Sequence, residues 1–287
     1  MKFRKNCPLL TIRAVSMALL LPAALLLSAP SATAGNFTEE ELEAACKGIE
    51  QCARNRTHVQ VQYQDFRQGV ENGRGDLLAA ALLRTAERYD GSDDPDKRAC
   101  VDFALDWLDE FGDTNALPFL ARRLERPGIS NRHMTVASYV RIAAAKGATN
   151  EFERMVLHLT ETGREGLRGE LIGEMLGTVR MREGLREFHR SRGEPAPEWP
   201  GIRPACAFLE RCYETEAAPG RMAELDAFVL ERDPSWRTSP HRLEGARRMV
   251  RLHPDSEAAR SLLSAVAAEP ANETNGSPSV LKPPPPF

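Results

Sequence analysis

An internal repeat constrains the fold of this 287-residue chain more than any other feature of its sequence. Residues 112–124 superpose on residues 147–159, an offset of 35, and each copy opens with a glycine that is followed by the same Thr-Asn pair. The apolar positions recur in kind, with Leu117, Leu120 and Leu124 matched by Phe152, Met155 and Leu159. Each copy is typical of a helix, a glycine turn and a second helix. One such pair cannot bury its apolar faces alone, so neighbouring pairs must stack.

Helical periodicity extends over most of the chain, which predicts an all-α fold. Apolar residues recur at helical spacing, whereas β-branched runs with strict alternation are nearly absent. Thr38 and Glu41 form a capping box that predicts the start of the first helix. Asp94 followed by Pro95 predicts the start of another helix. The apolar stripe of that helix is expected in the core and consists of Cys100, Phe103, Ala104, Trp107, Leu108 and Phe111.

The repeat resembles a known family. The stretch from Ala104 to Asp113, followed by Ala116-Leu117-Pro118-Phe119-Leu120, is similar to the HEAT-like repeats of α-solenoid proteins. Units of that family show an apolar helix, a Gly-Asp turn and an Ala-Leu-Pro-x-Leu second helix. The second copy departs from this pattern, since it has Ala148 after its glycine and Glu153 in place of the proline. The resemblance implies antiparallel helix pairs over residues 57–192, with Gly184, Leu185 and Phe188 beginning a degraded third copy.

Changes in composition along the chain predict how the rest of it divides into segments. Residues 35–56 form an N-terminal helix ahead of the array, and a proline-rich linker over 193–204 cannot be helical. In the block over 205–269, Asp233-Pro234 and His253-Pro254 stand 20 residues apart and each precedes a helical pattern, so the block resembles a tetratricopeptide hairpin. Residues 270–287, rich in Asn, Ser and Pro, are expected to be a disordered tail.

The first 34 residues have the pattern of a secretory signal peptide. A basic start precedes an apolar run from Ala14 to Ala29, and Ala32-Thr33-Ala34 matches the small-x-small cleavage pattern. The run is shorter than the ~20 residues that a membrane-spanning helix needs. This predicts an exported protein, periplasmic or extracellular, with no membrane span after removal of the signal. The arginine-rich composition and the type of signal favour a bacterial source.

Charge limits the classes of partner. Without the predicted signal the chain has 34 basic and 41 acidic residues, a net charge of −7, and the acidic excess lies within residues 35–124. This balance argues against a nucleic-acid partner. Two interpretations remain for one arginine-rich helix: a surface for an acidic protein partner, or a solvated face. Its residues are Arg242, Arg247, Arg248 and Arg251.

Four cysteines form two pairs of equal spacing: Cys46 with Cys52, and Cys206 with Cys212. Export favours disulfides. Six residues of continuous helix, however, separate the Cα atoms by ~9 Å, and a disulfide requires less than ~7 Å. Local bridges therefore need a break in each helix, and the alternative is that these thiols lie on a helix face, where they pair with other cysteines or remain reduced. Cys100 is expected to be a small buried apolar residue.

The sequence carries no catalytic signature, because it has no Gly-x-Ser-x-Gly, no phosphate-binding glycine loop and no His-Glu-x-x-His. No catalytic residue, cofactor or metal ligand is therefore predicted, and Asp106, Asp109 and Glu110 are expected to form a solvated helix face. The sequence favours a non-catalytic scaffold that binds a protein partner on the surface of the array. The alternative is an enzyme, or a subunit of an enzyme assembly, with its active cleft between the array and the C-terminal block.

Overall fold

A computed structural model of the protein describes residues 37–55, 59–196 and 198–273, and these residues are mostly helical. No strand occurs among them, so the predicted all-α class is confirmed. The predicted signal peptide and residues 274–287 of the predicted tail lie outside the described residues. The first four residues of that predicted tail, 270–273, are helical.

Twelve α-helices and two short 3-10 helices, Thr114–Ala116 and Pro234–Thr238, follow one another in the described ranges. The α-helices are α1 (Glu39–Asn55), α2 (Val59–Glu71), α3 (Gly75–Tyr89), α4 (Pro95–Phe111), α5 (Leu117–Glu125), α6 (Arg132–Lys146), α7 (Thr149–Glu161), α8 (Glu165–Ser191), α9 (Ile202–Thr215), α10 (Pro219–Arg232), α11 (Pro240–Leu252) and α12 (Glu257–Glu273). None of these described helices combines the length and the apolar composition that crossing a membrane requires.

The chain divides between Met155 and Val156 into two compact units, so the division lies within α7. The proline-rich segment 193–204 lies inside the second unit and follows α8. The prediction that it cannot be helical is wrong for residues 202–204, which form the first turn of α9, where a proline is tolerated.

The core of the first unit forms where α3 packs on α1, α2 and α4, and where α6 packs on α4 and α5. Large apolar side chains from these helices are fully buried, which removes their surface from water and provides the main favourable contribution to folding. They include Ile49, Leu82, Leu105, Leu108, Leu120 and Ile142.

Local capping fixes the starts of two helices as predicted. The Thr38 backbone N–H donates to Glu41 Oε2 at 2.8 Å, and the Glu41 N–H donates to Thr38 Oγ1 at 3.2 Å, which is a reciprocal capping box. Asp94 Oδ1 accepts from the N–H of Asp96 at 2.9 Å, and Pro95 occupies the first turn. Both predictions are confirmed, because these side chains accept hydrogen bonds from backbone N–H groups of the first helical turn, which have no acceptor within the helix.

The two repeat copies form the helix–turn–helix pairs α4–α5 and α6–α7, but their glycines serve different purposes. Gly147 ends α6 with φ of 76°, a left-handed conformation that favours glycine. Gly112 ends α4 with φ of −67°, and it is needed for space. A Cβ at Gly112 would lie 2.8 Å from Ile142 Cδ1 and would collide with the Leu108 carbonyl oxygen.

The prediction of a third copy at Gly184 is wrong, since α8 runs without a turn from Glu165 to Ser191. Good helix formers surround Gly184, and no proline or Asx turn follows it. A single glycine costs a helix only about 1 kcal/mol relative to alanine, which is too little to end it here.

The second unit is built on the first half of α8, which packs against α9 and α10, while α12 packs on α10 and α11. Buried residues of this core include Leu171, Met175, Leu209, Met222, Leu225, Phe228 and Met249.

Candidate functional site

The four arginines predicted as a basic face do not share one exposed surface. Arg242 is buried, with 2% of its surface exposed, and its guanidinium donates to both carboxylate oxygens of Asp226 at 2.8 Å. Arg248 is half-buried and donates to the carbonyl oxygen of Tyr213 at 2.8 Å. Arg247 and Arg251 are exposed, and Arg251 pairs with Glu244 at 2.6 Å. The predicted face is therefore divided between internal contacts and solvent.

The Arg242–Asp226 pair is the centre of a buried polar network that joins α9, α10 and α11. Trp236 Nε1 donates to Asp226 Oδ1 at 3.0 Å, and the Tyr213 hydroxyl donates to the Arg242 carbonyl oxygen at 3.0 Å. Burial raises the pKa of Tyr213, so its hydroxyl stays protonated as a donor. These groups satisfy one another, which indicates a structural role.

All five cysteines in the described ranges are thiols. Cys46 and Cys52 lie on the uninterrupted α1, and Cys206 and Cys212 lie on the uninterrupted α9, so neither helix has the break that a local disulfide would need. Burial raises the pKa of Cys52 to about 11, and it also raises the pKa of Cys206. Thiols of this kind are poor nucleophiles at neutral pH. Cys100 is buried, as expected.

The carboxylates of α4 that were expected on a solvated face differ in their exposure to solvent. Asp106 and Glu110 are exposed, as the sequence predicts, whereas Asp109 is half-buried and forms an ion pair with Arg141 of α6. Desolvation and the charge of Asp102 raise the pKa of Asp106.

The described ranges hold no group of three His, Cys, Asp or Glu residues arranged to bind a metal ion.

A polar pocket of about 300 Å³ lies in the first unit, where α3 and α5 end. At its base, Asp90 forms ion pairs with Arg123 and Arg126. Arg123 is 3% exposed, and it also donates to the Ser130 carbonyl oxygen at 2.9 Å and to Thr135 Oγ1 at 3.1 Å. The buried polar groups of this pocket are thus paired with one another, which fixes the turns after α3 and α5.

The second half of α8 exposes a row of large apolar side chains, which we call the α8 stripe. Met181, Leu185 and Phe188 are 45%, 38% and 50% exposed, and their spacing places them on one helix face. Leu171 and Met175, which the first half of α8 buries, point roughly 70° and 110° away from the centre of the stripe. The stripe therefore lies mostly beside the buried face of α8.

Two arginines near the end of α8 lie against aromatic rings. The Arg182 guanidinium stacks 4.7 Å from the centre of the Trp199 ring, and Arg192 lies 5.2 Å from the ring of Phe188. Arg192 is also paired with Glu194 at 3.0 Å. In the part of the chain that the structure describes, neither Arg182 nor Arg186 has a carboxylate partner.

Small residues lie along one side of the stripe. Gly177, Gly184 and Ser191 are exposed and seven residues apart, so they align along the helix. A Cβ built on Gly177 or Gly184 would have no atom within 4 Å. The backbone of α8 is therefore accessible along this side.

Sequence reasoning misses the α8 stripe, because it predicts that Leu185 and Phe188 belong to a third repeat. A signal for it exists in the sequence: Met181, Leu185 and Phe188 at helical spacing within an arginine-rich segment that contains no proline, Asp or Asn. Comparison with protein-family models, curated proteins and solved structures finds no match to this chain.

Proposed function

We propose that this protein is a non-catalytic binding protein that holds a protein partner on the α8 stripe. The observation that carries the proposal is the exposure of Met181, Leu185 and Phe188 on one face of a continuous helix. Single exposed apolar residues are common, but an aligned set of exposed apolar residues is characteristic of interaction surfaces. Anchors at i, i+4 and i+7 are also the spacing used in recognition between helices and grooves.

The proposal includes a finer architecture and a location. The pairs α4–α5 and α6–α7 are HEAT-like repeats, a reading supported by the matched apolar positions of the two copies. Export to the periplasm or the exterior is supported by the basic start, the apolar run and the Ala-Thr-Ala sequence within residues 1–34. Fractionation of the source cells, with detection of a C-terminal tag, tests the location independently of binding.

Affinity capture from the source organism tests the binding function when the stripe is varied. The tagged full chain is compared with Leu185→Asp/Phe188→Asp, which places charge on the stripe, and with Leu252→Asp/Leu157→Asp as a matched control. Leu252 and Leu157 are equally exposed leucines, at 55% and 56%, that lie outside the stripe. We expect a stoichiometric partner that the stripe variant loses and the control retains. A partner that all three proteins capture equally would refute the proposal.

A further inference from the structure

We infer that the polar pocket of the first unit binds a small oxyanion, a phosphate or a carboxylate, through Arg98 and Arg126. This site does not involve the α8 stripe, so the inference goes beyond the proposed function. It rests on the charges that line the pocket, on the hydrogen-bond donors there that have no acceptor among the described residues, and on the volume of the pocket.

Positive charge exceeds negative charge in the lining of the pocket. The guanidinium groups of Arg98, Arg123 and Arg126 line it, together with the carboxylates of Asp90 and Asp93. Asp90 is paired with both Arg123 and Arg126, and Asp93 is exposed to water. Burial and the charge of Arg126 lower the pKa of Arg123, because they disfavour its charged form. An anion in the pocket would offset this crowding of positive charge.

Arg98 lines the pocket without stabilising its walls. It lies in the first part of α4, its side chain is exposed, and that side chain has no hydrogen-bond or ion-pair partner among the described residues. Arg123 and Arg126, in contrast, hold Asp90 and so fix the turns around the pocket. The fold therefore uses two of these three arginines and leaves the guanidinium of Arg98 for a ligand.

Further donors line the pocket beside Arg98. Ser92 Oγ accepts a hydrogen bond from the Asp94 N–H at 3.3 Å, and neither the Ser92 nor the Ser130 hydroxyl donates to an acceptor among the described residues. The Arg126 guanidinium has five N–H groups, of which it gives one to Asp90 within the described part of the chain. Phosphate and carboxylate oxygens accept hydrogen bonds from such groups, and guanidinium groups bind them in pairs.

The size of the pocket and its lining favour a small anion over a metal cation. Its volume of about 300 Å³ lies at the lower end of the range for small-molecule sites. Val101, Pro127 and Ile129 add apolar surface to the lining, which strengthens the attraction between charges inside it. A cation would meet three guanidinium groups, and both carboxylate oxygens of Asp90 are already paired.

Isothermal titration calorimetry of the purified full chain tests the inference, in a buffer without phosphate, sulfate or carboxylates. Inorganic phosphate and succinate are the two probes, and the tighter one shows whether the site is for a phosphate or for a carboxylate. A ligand of this size that is held by a few charge-assisted hydrogen bonds should bind with a Kd of roughly 0.1–1 mM. Saturation with the tighter probe should also raise the Tm of the chain.

Arg98→Gln is the variant that separates binding from folding. It removes a charge from the pocket but no internal contact of a described side chain, so the Tm without ligand should change little. Affinity for the tighter probe should fall about tenfold or more, and Arg98→Lys should retain part of it, because lysine keeps the charge but not the paired hydrogen bonds. Arg67→Gln is the matched control, since Arg67 is an exposed arginine of α2 outside the pocket, and its affinity should not change.

Three results would overturn the inference. They are the absence of binding by both probes, unchanged affinity in Arg98→Gln, and an equal loss of affinity in Arg67→Gln, which would show that net charge alone attracts the anion. The proposed function would stand after any of them, because it is tested by partner capture with variants of the α8 stripe. Conversely, loss of the partner from the stripe variant predicts nothing about the affinity of this pocket for phosphate or succinate.

Discussion

At the scale of single residues, Gly245 shows how close packing outweighs helix propensity. Gly245 lies inside α11, where alanine would ordinarily stabilise the helix by about 1 kcal/mol. A Cβ at this position, however, would lie 2.5 Å from the Tyr213 ring and 2.7 Å from the Met222 methyl group. We expect Gly245→Ala to lower the free energy of unfolding by about 1–3 kcal/mol, as measured by urea denaturation. Gly166→Ala, in open space on α8, is the control, and an equal gain from both would show that the packing around Gly245 is wrong.

The Arg242–Asp226 pair gives a second prediction at this scale. Asp226→Ala leaves a buried guanidinium without its carboxylate, and removing one partner of a buried pair costs about 3–5 kcal/mol. Removing both charges with Arg242→Met/Asp226→Leu should cost less than the single change, because no buried charge is left unpaired. Urea denaturation of the two variants measures the difference. If the double variant is the less stable of the two, the hydrogen bonds that Trp236 and Tyr213 add to the Arg242–Asp226 pair contribute more to the free energy of unfolding than the ion pair does.

The cysteines give a third prediction, with a defined dependence on pH. Because the pKa of Cys52 is about 11, its thiol stays neutral in the folded protein at pH values where a free cysteine is ionised. Stability from this buried neutral form is full below the ordinary pKa and falls as the pH rises toward 11. Iodoacetamide should label Cys52 slowly at pH 9 in the folded protein. After denaturation without reductant, iodoacetamide should label all five described cysteines. A mass spectrum with two labels fewer would reveal a disulfide.

At the scale of helices, a substitution at Gly184 should increase the stability of the protein and decrease its binding of the partner. It lies inside α8 with open space around it, so Gly184→Gln should stabilise the helix by about 0.5–1 kcal/mol. The added side chain would lie one helical turn from Phe188, beside the α8 stripe, and should also weaken capture of the partner. Gly166→Gln, at the other end of α8 and equally open, should leave capture unchanged. Circular dichroism melts measure the gain, and retained binding by Gly184→Gln would show that the partner does not contact this side of the α8 stripe.

The elements that the sequence predicts well are those whose signals are local. The starts of α1 and α4 depend on Thr38 and Asp94, which cap amides within the same turn. Burial is different, because it depends on partners that are distant in the chain. Arg242 is hidden by Asp226, sixteen residues earlier on another helix, and Leu185 is exposed because no neighbouring helix covers it among the described residues. Periodicity identifies an apolar face but not whether anything packs on it.

At the scale of the whole molecule, the proposal requires that the α8 stripe can be removed without loss of the fold. Leu185→Asp/Phe188→Asp alters side chains that are 38% and 50% exposed, so the free energy of unfolding should change by no more than about 0.5 kcal/mol. Leu209→Asp places a charge at a fully buried position of the same unit and should destabilise it by several kcal/mol or prevent folding. Urea denaturation of the three proteins provides the comparison. If the stripe variant loses more than about 2 kcal/mol, the folded chain itself covers Leu185 and Phe188, and the partner surface must be sought elsewhere.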